Sequence, residues 1–162
     1  MATLQKRGPY QLNGLVLELC KQPAEMEWLE FKHNNADPQE IGEYLSALSN
    51  SRALCGEANA YLVWGIENDT HKVVGVTFSP DKKKVGEEEL ENWLLKLITP
   101  KIDFHFHCFE GEAIPVVLLE IGRAFRHPVQ FQSQEFIRVG SYKKKLKDFP
   151  EREENFGEYL IG

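Results

Sequence analysis

Apolar residues recur at Leu12, Leu15, Val16 and Leu19, the spacing of a helix with one buried face, and Pro23 closes that segment. Between Trp28 and His33 the period drops to two. Leu29 and Phe31 fall on one face and Trp28, Glu30 and Lys32 on the other, which predicts a strand with one buried side. Asp37-Pro38-Gln39-Glu40 reads as a helix start: Asp37 as cap, Pro38 at the first helical position and Glu40 completing a capping box. Ile41, Tyr44, Leu45 and Leu48 follow at helical spacing, so this helix is expected to reach about Leu54. Residues 60–66 are continuously apolar, as in a central strand covered on both faces. Residues 68–71 form a turn signal, and 72–78 read as the returning strand of a hairpin.

In the second half, residues 87–98 place Leu90, Trp93, Leu94, Leu97 and Ile98 on one helical face, with acids in the first turn and Pro100 as a stop. Ile102, Phe104, Phe106 and Cys108 alternate with polar residues, and 114–121 is a second apolar strand, joined to the first through Glu110-Gly111-Glu112. Short strands are expected at 129–131 and 136–139, then a basic segment and a last helix over 150–160. Hairpins interspersed with helices predict an α+β fold, with a mixed, largely antiparallel sheet and flanking helices. The 162 residues contain no internal repeat or long linker and suit a single domain over 1–162.

Composition sharpens the picture in three ways. The longest apolar run, 60–66, is far too short to cross a bilayer, so no membrane partner is expected. The first nine residues lack the apolar stretch of a secretion signal, and Cys20, Cys55 and Cys108 form neither a disulfide framework nor a zinc pattern, so a cytoplasmic location is expected. The net charge of −6 works against phosphate affinity. Base is nevertheless concentrated in Lys82-Lys83-Lys84, in Arg123 and Arg126 and across 138–147, so an acidic chain can still carry a local basic surface.

Candidate chemistry lies in two runs. Glu25 and Glu30 stand beside Lys32, and Glu67 and Asp69 follow the apolar strand. Converging carboxylates can hold Mg²⁺ or Mn²⁺, and a neighbouring lysine can orient a phosphate. Glu25 and Glu30 are five residues apart and would point to opposite faces of one straight strand, so convergence requires Glu25 to lie in the preceding loop. Arg138, Lys143, Lys144 and Lys145 are candidate phosphate contacts. Gly140-Ser141 can present backbone N–H groups to an anion, and Tyr142 can stack on a base. His105 and His107 share a strand face but lack an evident third ligand, which favours a solvated face; Cys108 belongs to the opposite, core face. Cys55 sits in a glycine-containing loop with nothing adjacent to activate it. Asn50 and Ser51 either close a ligand site near Gly56 or end a helix. No P-loop, dinucleotide fingerprint or Gly-x-Ser-x-Gly elbow occurs, so no nucleotide cofactor is expected.

Several of these pieces, in this order, resemble the Schlafen AlbA_2 domain, also called the Schlafen-core or divergent AAA-4 domain. They are Glu25 through Lys32, Glu40 through Asn50, Gly56 with Tyr61 through Glu67, Val74-Gly75, Pro115 through Ile121, Pro128-Val129 and Phe136 through Ser141, covering roughly residues 20–150. The resemblance implies a nucleic-acid-binding module for RNA or DNA. Bacterial relatives often carry the domain at the N-terminus of regulators or helicase-like proteins, and vertebrate relatives include RNA endonucleases that cut tRNA and rRNA through three clustered acids. Carried over, Glu25 and Glu30 are the glutamates of the first motif. The third acid is Asp69, or Glu67 if the alignment slips. The resemblance therefore also implies, as an alternative, an endoribonuclease dependent on Mg²⁺ or Mn²⁺ and acting on structured RNA such as tRNA. Vertebrate enzymes clasp RNA between two lobes; here a homodimer or a separate second lobe would have to supply the other half. A third alternative is a protein–protein interaction or oligomerisation domain whose acids are only surface.

Overall fold

A computed structural model of the chain describes residues 8–22, 26–56, 58–111 and 113–161. Helix α1 (Pro9–Cys20) leads to strand β1 (Leu29–Lys32), helix α2 (Pro38–Cys55) and strand β2 (Asn59–Trp64). A small hairpin of β3 (Lys84–Val85) and β4 (Glu88–Glu89) precedes helix α3 (Leu90–Leu97) and β5 (Ile98–Thr99). The long hairpin β6 (Phe104–Gly111) and β7 (Ile114–Gly122) follows, then β8 (Gln130–Phe131), β9 (Gln134–Val139), β10 (Tyr142–Lys145) and helix α4 (Pro150–Ile161). The fold is α+β with mixed, mostly antiparallel sheets.

One sheet has the order β1-β2-β7-β6, with β1 parallel to β2 and the other pairs antiparallel. A second, antiparallel sheet runs β10-β9-β8-β5. Period-two alternation divides the first sheet between two cores. Leu29, Phe31, Tyr61, Val63, Val116 and Leu118 pack with Val16 and Leu19 of α1. On the other face Leu62, Trp64, Leu119 and Ile121 pack with Ile41, Leu45 and Leu48 of α2, and α2 in turn meets Phe131 and Ile137 of the second sheet. Trp64 is fully buried, and its indole N–H donates to the Asn35 carbonyl at 2.8 Å, so no polar group is stranded there.

Helix α2 lies between the two sheets, and from Ile41 to Ser51 every residue except Glu43 is buried. This explains why small and polar residues fill an interior helix. Gly42 is required by close approach: a Cβ there would fall 2.2 Å from the Phe131 ring. The Ser46 and Asn50 side chains act as a substitute strand edge for the second sheet. Asn50 Nδ2 donates to the carbonyls of Val129 (3.0 Å) and Phe136 (2.8 Å), and Asn50 Oδ1 accepts from Val129 N–H (2.7 Å). Ser46 Oγ donates to Val129 O (2.6 Å) and accepts from Phe136 N–H (2.9 Å), while Ser51 Oγ accepts from Arg138 N–H (3.0 Å). Asn50 and Ser51 therefore hold a strand in place, and neither of the two roles expected from sequence describes them.

Other expectations are also corrected. Residues 72–78 form no strand beyond a single Ile66–Val73 bridge, because β1 and β7 already occupy both edges of β2. Asp37 precedes α2 without a side-chain capping bond; Asn35 organises the start instead, accepting from Asp37 N–H (3.2 Å) and donating to Glu40 (2.7 Å). The helix expected from residue 87 begins at Leu90, since Glu88 and Glu89 pair with Val85 and Lys84. On β6 Phe104 and Phe106 pack against the core and His105 is exposed, as expected, but the next two positions are reversed. Cys108 is exposed, whereas His107 is buried and 3.2 Å from the interior Glu120, because α1 lies against this edge of the sheet.

Candidate nucleic-acid interface

The alternation that buries Leu29 and Phe31 turns Glu30 and Lys32 towards α2. There the Glu30 carboxylate bears on the Tyr44 hydroxyl. The Lys32 ammonium lies 5.0 Å from the centre of the Tyr44 ring and the Lys143 ammonium 4.7 Å from it. Burial pushes the Tyr44 hydroxyl well above its ordinary value, and the Glu30 charge and hydrogen bond act in the same direction. Arg138 of β9 completes the group. Its guanidinium donates to the Leu29 carbonyl at 3.1 Å and lies 3.5 Å from a Glu30 oxygen. The sequence offered Glu30 as a candidate metal-binding acid and Lys32, Arg138 and Lys143 as candidate phosphate contacts; the fold brings all four together around Tyr44, a residue that spacing alone assigned only to the helix core.

Arg138 is nevertheless an interior residue, only 1% exposed, and its Nε has no hydrogen-bond partner among the described residues. In this position it orients Glu30 and ties β9 to β1. The basic segment is the strand β10, in register with β9 so that Lys143 sits opposite Arg138. Lys143 is drawn inward between two carboxylates, 2.6 Å from Glu43 and 3.8 Å from Glu40. Burial works against the ionised form of Glu43. Hydrogen bonds from Lys143 and Gln39, with the charges of Lys143 and Lys145, outweigh it and hold the carboxyl below its usual range. Lys144 and Lys145 are exposed, and Lys144 lies 5.5 Å from the centre of the exposed Tyr142 ring.

The backbone anion site expected at Gly140-Ser141 is filled from within the chain. Gly140 N–H donates to Glu27 at 2.8 Å, and Arg152 of α4 reaches the same carboxylate at 3.2 and 3.4 Å. Glu27 lies in the run between the two predicted acids, but its partners are more than a hundred residues away, so nothing local announced its role.

The remaining acids are placed differently. Glu67 and Asp69 are exposed in a turn closed by Glu67 N–H to Lys72 O (2.9 Å) and His71 N–H to Glu67 O (2.8 Å). His71 anchors this turn on the α1 side of the sheet, 4.6 Å from Phe31 and 2.9 Å from Cys20 O, whereas Glu30 faces α2. Glu67 accepts a hydrogen bond from Thr70 at 2.7 Å. Glu25 lies outside the described residues. Among the described residues no three carboxylates, imidazoles or thiols gather to hold a metal ion. Among the same residues no helix is long and apolar enough to cross a membrane.

An α+β domain with an inward acid–arginine pair and an exposed lysine strand beside it is thus defined. The chain belongs to the Schlafen AlbA_2 family, whose model matches residues 25–147. No curated protein sequence matches it. Among solved structures, the crystal structure of the DIP2311 protein from Corynebacterium diphtheriae is similar over 84% of this chain, at 17% identity and a TM-score of 0.47. The chain spans 26% of that protein's length.

Proposed function

We propose that this domain binds nucleic acid, RNA or DNA, with β10 and the neighbouring Lys32 as the phosphate-facing surface. The observation that carries the reading is the placement of Lys144 and Lys145 as exposed residues of a regular strand, beside the exposed Tyr142, with Lys143 of the same strand sharing the Tyr44 ring with Lys32. Two exposed ammonium groups, one on each face of the edge strand β10, attract a phosphate backbone running along that edge. An aromatic ring at the same edge offers a stacking surface of about 1–3 kcal/mol per base. Lys143, already paired with Glu43, acts mainly to fix β10 against α2. Family membership supports the same reading. The net charge of −6 keeps non-specific attraction low, so affinity rests on this patch and falls steeply with salt. A second copy of the chain or a separate lobe would extend the surface.

The test is fluorescence anisotropy with labelled tRNA, single-stranded RNA and duplex DNA, each titrated between about 50 and 200 mM salt. Binding that weakens with salt, persists in EDTA and is lost in Lys144→Glu/Lys145→Glu supports the reading; binding unchanged in that variant refutes this surface. Absence of binding by the wild type to all three nucleic acids refutes the function and favours a protein-interaction domain.

A second reading is a metal-dependent endoribonuclease using Glu25, Glu30 and Asp69, or Glu67 in place of Asp69. It is favoured by one observation: Arg138 stands 3.5 Å from the Glu30 carboxylate, on the face that Glu30 shares with Lys32. It requires Glu25 to complete the acid set. Cleavage of tRNA with Mn²⁺ or Mg²⁺ that disappears in EDTA and in Glu30→Gln would establish it, and intact RNA under all these conditions would remove it.

A further inference from the structure

Where β1 gives way to α2, a polar cleft of about 580 Å³ opens between residues 34–37 and the segment 77–83. Its lining includes Asn34, Asp37, Thr77, Phe78, Lys82 and Lys83. The far wall is held firmly. Thr77 donates both its N–H (2.9 Å) and its hydroxyl (3.2 Å) to Asn34 Oδ1. The Phe78 ring packs 5.0 Å from the ring of the buried Trp64, and the N–H groups of Lys82 and Lys83 both bond to Ser79 O at 3.1 Å. The two lysines are therefore carried on a pinned segment.

Among the described residues no carboxylate lies within 4.0 Å of the Lys82 or Lys83 ammonium, in contrast to Lys21, Lys96 and Lys143, each of which has an acidic partner. Asp37 is the one acid in the lining. The cleft is joined to the surface described above through the first turn of α2. Asn35, also in its lining, bonds to Glu40 at 2.7 Å, and Glu40 lies 3.8 Å from Lys143, one helical turn before Tyr44.

We infer that this cleft is a second phosphate-binding position, occupied by the backbone of the same nucleic-acid strand that lies on β10. The inference rests on the nucleic-acid reading and adds a direction to it: the strand runs from Lys144 and Lys145, past Lys32, to Lys82 and Lys83. The preferred ligand is then an extended strand rather than one nucleotide. A phosphate on a free mononucleotide would satisfy the same lysines, so the experiment separates the two sources.

Single-stranded RNA binding is measured for the wild type, for Lys82→Ala/Lys83→Ala, and for Lys84→Ala as a neighbour outside the lining; thermal melting verifies that each variant folds. ATP is titrated separately, with the shift in melting temperature as readout. The expected result is roughly tenfold weaker RNA binding in the double variant. Its slope of log affinity against log salt should be shallower by about 1.4, the effect of two contacts on a single strand, with Lys84→Ala within about twofold of wild type. RNA affinity and salt slope unchanged in the double variant, while Lys144→Glu/Lys145→Glu is defective, overturns the cleft and leaves the β10 surface standing. ATP binding that the double variant abolishes without effect on RNA overturns the strand assignment in favour of a nucleotide. Failure of the wild type to bind single-stranded RNA overturns the cleft, and failure with tRNA and duplex DNA as well overturns both proposals together.

Discussion

Replacing Asn50 by alanine tests whether a polar side chain on α2 holds the second sheet, and with it the functional surface, in place. Asn50 makes three buried hydrogen bonds to the Val129–Phe136 backbone, at 2.7, 2.8 and 3.0 Å. It is fully buried, as are Val129 and Ser46. Truncation leaves one N–H and two carbonyls without this partner in a space that α2 and β9 keep dry. Val129 O and Phe136 O retain, respectively, a bond from Ser46 and their remaining acceptor capacity, so not every group suffers the full penalty. With about 1–3 kcal/mol for each stranded group and partial compensation, the expected loss is about 3–5 kcal/mol, a large share of a typical domain stability of about 5–15 kcal/mol. Urea unfolding followed by tryptophan fluorescence would record it as a midpoint lowered by about 2 M, taking a slope of about 2 kcal/mol per M. Asn50→Asp is the sharper control. It keeps the volume and the acceptor but loses the donors and buries a charge, so it should be at least as damaging as alanine. A loss below about 1 kcal/mol in Asn50→Ala would refute the substitute-edge argument.

Three further outcomes follow from the same geometry. Gly42→Ala drives a methyl into the Phe131 ring, 2.2 Å away, and should cost about 1–3 kcal/mol, seen as a lower melting temperature; unchanged melting would mean that Phe131 moves freely. Arg138→Met leaves Glu30, only 13% exposed, without its guanidinium and should cost about 3–5 kcal/mol, while Glu30→Gln/Arg138→Met should recover much of that loss; strictly additive effects in the cycle would sever the pair. In an alkaline titration followed near 295 nm, Tyr44 should remain un-ionised well above the ordinary tyrosine value near 10. Because its folded value is raised, the folded protein keeps this proton when the unfolded chain has lost it. The associated stability is present below the ordinary tyrosine value near 10 and declines as pH rises above it, a decline that Tyr44→Phe should remove.

Local pattern determined most of the elements. Period two in Leu29–Lys32 fixed both the strand and the side on which Glu30 and Lys32 fall, and helical spacing with Pro38 fixed α2. These features were legible because each depends on neighbours within a few residues. The ordered motifs also carried the family, which the match over residues 25–147 shows. What sequence could not decide was which partners compete for the same edge or charge. Residues 72–78 have strand character, but β2 had no free edge to offer them. Arg138 and Lys143 look alike as basic residues at a strand end, yet β9–β10 pairing against α2 buries one beside Glu30 and clamps the other with Glu43. Gly140 could have met any anion, and the fold supplies Glu27 from 113 residues away. Charge neutralisation and edge occupancy act through space between segments remote in the chain, so only the tertiary structure could pair Lys143 with Glu43, leave Lys144 and Lys145 exposed on β10 and set Lys82 and Lys83 in the lining of a cleft.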